Sequence, residues 1–374
     1  MKASRLNLSG DRVFAIIVLI LVVGGIALFA SAALGLLARA GAAPGRIALT
    51  QVLLGLIPGI IALFALRFLS PKLLLKLVLP AYVITILLTL LTLIPGIGQT
   101  INGASRWLDL GFTTVQPGEF LKVSVILMMA AYLAHAKQKL QDFKHGLIPF
   151  AFILGIPSLL LIMQPNTSTV LVIGGACIAL YFLAGAPWRD FAIIFGCTVL
   201  AGVILVINRP YLMNRVQTFI DPSANAQTSG YQIQQSLIAI GSGGLLGRGF
   251  GQSVQKFNYL PEPVGDSIFA VYGEEFGFFG TVLLVLLFVA FAMRGLMIAA
   301  EASTQFGALA VTGLTLLITF SAFLNIGAML GILPLTGLPL PFISHGGTAL
   351  MAALASVGII LNVAAHRTKK RAMA

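Results

Sequence analysis

Val13-Phe14-Ala15-Ile16-Ile17-Val18-Leu19-Ile20-Leu21-Val22-Val23-Gly24-Gly25-Ile26-Ala27-Leu28-Phe29-Ala30 carries no charge and is apolar on every face. A surface helix of a soluble protein would turn polar every third or fourth residue, and a membrane β-strand would alternate. This run does neither, and about 20 residues of apolar helix cross the hydrocarbon of a bilayer. Comparable runs, such as Thr281 to Ala292, recur almost to the end of the chain. Of its 374 residues 58% are apolar and 9% charged, where soluble domains average about 25% charged. A water-soluble globule is excluded. An all-α polytopic membrane protein with about ten spans is expected.

Apolar windows and their Gly, Pro and charge interruptions place spans near 13–35, 50–68, 74–95, 118–134, 147–164, 168–186, 190–207, 275–295, 306–331 and 348–365 within a single membrane domain. An even number of crossings puts both termini on one side. Of 23 basic residues, 15 fall there, among them Arg67, Lys72, Lys76, Lys137, Lys139, Lys144 and Arg294. Arg39, Arg46, Arg106, Lys122, Arg209, Arg215, Arg248 and Lys256 fall on the other side or its borders. The positive-inside rule then makes both ends cytoplasmic. Lys2, Arg5 and Arg12 before the first run, with Ala30-Ser31-Ala32 after it, have the pattern of a secretory signal. The run exceeds the roughly 7–15 apolar residues of such a signal, so an uncleaved helix is expected. The net charge of +12 reports this orientation and does not point to nucleic acid. Cys177 and Cys197 lie in apolar runs and read as small hydrophobes. His135, His145, His345 and His366 lack zinc-ligand spacing.

Short cytoplasmic loops leave no room for an ATPase or kinase domain, so chemistry is expected on the outer face. Three outer segments are long: 96–119, 208–270 between the seventh and eighth spans, and 332–347. Irregular backbone at membrane depth is stable only against protein or water, so these segments are expected to fold over a cavity. In the middle one, Tyr231-Gln232-Ile233-Gln234-Gln235-Ser236 leads into a glycine-rich stretch from Ile240 to Gly251 that contains Arg248. It lacks the Gly-Lys-Ser/Thr of a Walker loop and the strand that precedes a Rossmann turn, so hairpin or re-entrant turns fit it better than a phosphate cradle. Glu274 and Glu275 open the next span, where acids suit the helix dipole. Asp266 stands before Ile268-Phe269-Ala270-Val271, where ionisation beside the membrane is costly. It reads either as a chemical group or as a turn or cap residue. Glu119 and Lys122, three apart at the start of the fourth span, share a helix face. A cation there opposes the dipole and needs an anion, either Glu119 or a ligand. Arg106 and Trp107 suit phosphate or sugar, and equally an interface belt. Pro334, Pro339 and Pro341 prevent a continuous helix over 334–347, which reads as a broken element of the kind that also gathers at transporter sites.

Gly103-Ala104-Ser105-Arg106-Trp107, Gln116-Pro117-Gly118-Glu119-Phe120-Leu121-Lys122, Gln164-Pro165-Asn166, Tyr231 to Gly251, Tyr259-Leu260-Pro261-Glu262 through Asp266, and Leu338-Pro339-Leu340-Pro341-Phe342-Ile343-Ser344 follow one another in order. From about residue 95 to 365 the chain resembles the SEDS family of bacterial envelope proteins, which includes FtsW, RodA and SpoVE. Ser253-Val254-Gln255-Lys256 and Val271 to Gly277 are more similar to the FtsW branch. The chain departs from the family pattern at Asn166, where an acid is usual, at Gly118, at Pro263-Val264-Gly265 and at His345.

The resemblance implies a glycosyltransferase that polymerises lipid II into peptidoglycan strands at the outer face of the bacterial cytoplasmic membrane, in division or elongation. Asp266 would be the general base. Lys122, Arg106, Arg248 and Lys256, in that order, would stabilise the lipid diphosphate leaving group. Glu119, Trp107, Gln116, Gln234 and Ser344 complete the expected substrate site. A divalent cation, Mg²⁺ or Mn²⁺, on Asp266 and the diphosphate suits the same chemistry. The implied partners are lipid II, membrane lipid and a class B penicillin-binding protein transpeptidase. Two other classes stay open. A lipid II flippase predicts charges at mid-depth in several spans, and the chain offers almost none. A scaffold for the division machinery needs no Asp266.

Overall fold

A computed structural model describes residues 11–38, 44–101, 103–109, 111, 113–222 and 229–366. Lys2, Arg5, Arg39, Arg367, Lys369, Lys370 and Arg371, all among the 23 basic residues counted for orientation, lie outside them. The chain runs α1 Arg12–Leu34, α2 Pro44–Thr50, a π turn Gln51–Leu56, α3 Ile57–Phe68 and α4 Pro71–Leu91. Strands β1 Gly98–Ile101, β2 Ala104–Asp109 and β3 Thr114–Val115 follow, then α5 Pro117–Ala136, α6 Leu147–Met163, α7 Thr167–Leu183 and α8 Trp188–Asn208. The remaining helices are α9 Pro210–Ile220, α10 Ser229–Ser242, α11 Ile268–Ala300, α12 Gln305–Met329 and α13 Gly347–Ala365. The fold is all-α and polytopic. Among the described residues, eight helices are long and apolar enough to cross a bilayer, and α6 and α7 are shorter apolar helices.

Three differences from the sequence reading matter. The segment 96–119 contains an antiparallel three-stranded sheet, β1-β2-β3, which no apolar window signals. The segment 208–270 contains α9 and α10, both short for a span. The helix expected to open at Glu274 opens at Ile268, which puts Glu274 and Glu275 in its second turn, away from the cap position.

Helices in lipid satisfy their own backbone, so side chains decide how they pack. α12 is the most enclosed, with 72% of its apolar window buried against 6% for α8, and it packs on α5, α7, α11 and α13. Polar side chains pin the ends. Asp11 accepts from Phe14 N at 2.9 Å, capping α1, and from Arg294 Nη2 on α11 at 2.6 Å. Asn362 Nδ2 on α13 donates to the carbonyls of Leu66, Arg67 and Leu69 at 2.8, 3.0 and 2.6 Å, which serves backbone acceptors that the end of α3 leaves orphaned.

α1 lies so close to the proline segment that a Cβ at Gly25 would stand 2.3 Å from Phe342 O, whereas one at Gly24 would meet nothing within 4 Å. Alanine is favoured over glycine in a helix by about 1 kcal/mol. Gly24→Ala is therefore expected to hold or raise the thermal unfolding midpoint of the purified protein, and Gly25→Ala to lower it. Equal midpoints for the two variants would contradict this packing.

Candidate functional site

The end of the bundle where α5 begins holds three non-helical pieces: the loop 243–267, the turn 164–166 and the proline segment 332–346. Side-chain amides and hydroxyls stitch them together. Asn325 on α12 is buried and donates through Nδ2 to Asp266 O and to Leu338 O, both at 2.7 Å. Ser344 Oγ donates to Gly265 O at 2.6 Å and accepts from Leu340 N at 2.8 Å. His345 N donates to Val264 O at 2.7 Å, and its ring stacks on Phe29. Gln51 Nε2 in the π turn donates to Ser344 O at 3.2 Å, and Gly346 N donates back to Gln51 Oε1 at 2.9 Å.

Asp266 thus sits at a backbone crossing, just ahead of α11. Its Oδ1 is buried without a hydrogen-bond partner, and its side chain is only partly exposed. Burial pushes the carboxyl up to about 6; Gln232 and Arg215 oppose the rise and Glu262 adds to it. Gln232 on α10 also donates to Ser267 Oγ at 3.0 Å. Arg215, Gln232 and Asn325 all escaped the sequence reading as site residues. The signal that could have found Arg215 is its place in α9, a short helix that sorts apolar from polar residues around its circumference.

Lys122 and Glu119 form an ion pair at 2.8 Å in the first turns of α5. They line an open groove with Leu338, Pro341, Phe342 and Ser344. Ser344 joins this groove to the Asp266 loop, but Asp266 is not among the groove's lining residues. Gln116 N donates to Thr348 Oγ1 at 3.3 Å, tying the start of α5 to α13. Arg106 on β2 turns to the 164–166 turn, where Nε donates to Gln164 O at 3.1 Å and Nη2 to Pro165 O. Trp107 follows it on β2, half-buried.

Three expected ligand contacts are placed elsewhere. Gln234 is exposed on α10. Arg248 is exposed and pairs with Glu274 at 3.4 Å. Lys256 is fully buried, its Nζ donating to Glu275 Oε1 at 2.8 Å, Gly251 O at 2.8 Å and Ser31 Oγ at 3.0 Å. Glu274 takes Ser253 Oγ at 2.6 Å, Val254 N at 3.0 Å and Gln255 N at 3.1 Å. The glycine-rich stretch spends its donors on protein as well, Arg248 N on Glu274 O and Gly249 N on Glu275 O. Gly277 breaks α11 at φ 64° and ψ −162°, and a Cβ there would stand 2.3 Å from Gly247 N. These glycines allow one backbone to cross another, so the stretch is a re-entrant turn and not a phosphate cradle.

The FtsW/RodA/SpoVE cell cycle protein family matches residues 11–369. The stage V sporulation protein E of Bacillus subtilis is 40% identical over 285 residues, 76% of this chain and 78% of that protein. A probable peptidoglycan glycosyltransferase FtsW of a Geobacter species is 38% identical over 285 residues, 76% of this chain and 77% of that one. A chain from a peptidoglycan synthase complex that coordinates polymerization and crosslinking superposes with a TM-score of 0.78 at 28% identity, covering 97% of this chain and 99% of that one. The rod shape determining protein RodA of Thermus thermophilus superposes at 0.70 with 27% identity and the same coverage.

Removing one partner of a buried ion pair strands the other charge, at a cost of about 3–5 kcal/mol. Lys256→Met is accordingly expected to lower the unfolding midpoint sharply, and adding Glu275→Gln to recover most of the loss. A single variant as stable as the parent would show that the pair does not hold the loop.

Proposed function

The chain belongs to the FtsW/RodA/SpoVE family of cell cycle proteins, and from that premise we propose that it is a peptidoglycan glycosyltransferase of the bacterial inner membrane that polymerises lipid II with Asp266 as general base. The observation that carries the reading is the state of Asp266, a carboxyl with a buried, unpartnered oxygen where the loop 243–267 crosses the proline segment. In the reaction a hydroxyl of the acceptor sugar attacks the anomeric carbon of the lipid-linked donor. Its proton passes to Asp266, the bond from that carbon to the diphosphate oxygen breaks, and the polyprenyl diphosphate leaves with the electron pair. A base is most effective when its pKa lies near the working pH, and burial has moved this one towards neutrality.

The charge distribution supports an outward-facing site. Lys72, Lys76, Lys137, Lys139 and Lys144 lie where α4 begins and where α5 gives way to α6, the ends opposite to Glu119, Lys122 and Asp266. The positive-inside rule assigns that basic end to the cytoplasm. A divalent cation at Asp266 would find Glu262 as a second carboxylate nearby and the charge of Arg215 against it, and no three His, Cys, Asp or Glu gather among the described residues. The donor set does not fit a resident ion. The groove beside Lys122, with its apolar wall of Leu338, Pro341 and Phe342, suits the lipid-linked substrate, and the superposition on a chain of a peptidoglycan synthase complex supports a transpeptidase partner.

General-base catalysis contributes about 10²–10⁴-fold. Asp266→Asn is expected to lose at least that much lipid II polymerisation by the purified protein with its partner, while a pull-down of the partner persists. Retained polymerisation would remove the base assignment. Movement of a labelled lipid across liposomes that continues in the same variant would favour a flippase, and a full division phenotype without polymerisation a scaffold.

The pH dependence has two signs. Polymerisation should fall as pH drops through about 6, because the base takes up its proton. Stability runs the other way: a raised carboxyl pKa leaves the full contribution below the unfolded value near 4, and the contribution is lost as pH rises through about 6. Asp266→Asn should therefore unfold at a higher temperature than the parent at pH 7.5, with the gap closing in acid. A gap that is independent of pH would contradict a buried, titrating carboxyl.

A further inference from the structure

Cations are plentiful at this end of the bundle, but most are already matched. Lys122 is paired with Glu119, Arg248 with Glu274 and Lys256 with Glu275. Arg106 and Arg215 are different. Among the described residues neither has a carboxylate within ion-pair distance, and both are half-buried. The α6–α7 turn seats the two. Arg106 is held on the carbonyls of Gln164 and Pro165, and Arg215 Nη1 donates to Ser168 Oγ at 3.3 Å and Thr336 O at 3.5 Å. The turn adds no charge, since Asn166 stands in it and accepts from Thr169 Oγ1 at 2.8 Å. Burial lowers the pKa of both guanidiniums, and Arg215 lowers that of Arg106 further. Even so, arginine keeps its proton in proteins.

Arg215 feels the charge of Asp266 without pairing with it, and no described carboxylate pairs with Arg106, so two desolvated positive charges with donors to spare on each fork have room for an anion. The space between Arg215 and the base is bare backbone. Gly337 is exposed at φ 65°, and a Cβ on it would stand 3.7 Å from Arg215 Nη2 and 3.9 Å from Asp266 Oδ2. We propose that Arg106 and Arg215 form an anion seat beside Asp266, separate from the Lys122 groove, which grips the diphosphate of the lipid-linked donor. The assignment of the donor rests on the glycosyltransferase reading above. As the bond to the sugar breaks, the electron pair passes to a phosphate oxygen, and two guanidiniums seated by the turn stabilise the charge with their remaining donors. The second lipid-linked substrate is left to the groove, where the Lys122–Glu119 pair is neutral as a unit.

The test is equilibrium binding of farnesyl diphosphate to the purified full chain in detergent, followed by Trp107 fluorescence in a Trp188→Phe background. Arg215→Gln is expected to weaken binding at least tenfold and Arg215→Lys by less, whereas Lys144→Gln, at the opposite end of the bundle, should change it less than twofold. Inorganic pyrophosphate should compete and farnesol should not. Parent-like affinity in both Arg215 variants, or competition by farnesol alone, would overturn the seat. Should Arg215→Gln not fold, as judged by its melting curve, Arg215→Lys decides. An Asp266→Asn variant that polymerises normally, in a protein whose diphosphate affinity depends on Arg215, would sink the base reading and leave the seat standing. Lost polymerisation in Asp266→Asn with binding indifferent to Arg215 would do the reverse.

Discussion

A polar backbone inside a bilayer must find its partners within the protein. The non-helical segments of this bundle meet that demand through a handful of buried side chains. Asn325 is the clearest case, because one amide serves the carbonyls of Asp266 and Leu338 at once. Leaving either carbonyl buried and unpaired would cost about 1–3 kcal/mol. The same logic explains why Ser344, Gln51 and Glu274 are buried although polar: each accepts or donates where a helix would have used its own backbone. This stitching fixes where Asp266 stands relative to the proline segment.

Charge is handled in two ways. Asp11 with Arg294, Glu119 with Lys122 and Glu275 with Lys256 are matched, and a buried pair persists only when hydrogen bonds satisfy what the partner does not. Lys256 meets that condition by adding Gly251 O and Ser31 Oγ to its carboxylate, so it joins α1, α11 and the loop 243–267. Among the described residues Asp266, Arg106 and Arg215 form no such close pair, although Asp266 and Arg215 feel each other's charge. That contrast separates groups that hold the fold from groups of the proposed site.

α9 links the membrane helices to this chemistry. It follows the barely buried α8, keeps Val216, Phe219 and Ile220 exposed, and turns Arg215 inward over Tyr211, whose ring centroid lies 5.8 Å from the guanidinium carbon. An amphipathic helix of this kind suits the boundary between lipid and water. Its polar face would meet a diphosphate at the depth where a lipid-linked sugar carries one.

Apolar runs without a polar face were enough to read an all-helical membrane protein, because in hydrocarbon length and hydropathy alone settle whether a segment can cross. The ordered motifs likewise made Asp266, Lys122 and Glu119 stand out, since a charge beside an apolar run is costly enough to be conspicuous in one dimension. Tertiary structure decided the rest. Lys256 and Arg248 look like phosphate ligands in a glycine-rich string, yet Glu275 and Glu274, further along the chain, occupy them. Arg215 and Asn325 look ordinary until folding brings them to a residue more than fifty positions away. Composition reports what a segment costs to bury; which partner repays that cost is a matter of distances that only the packed chain sets.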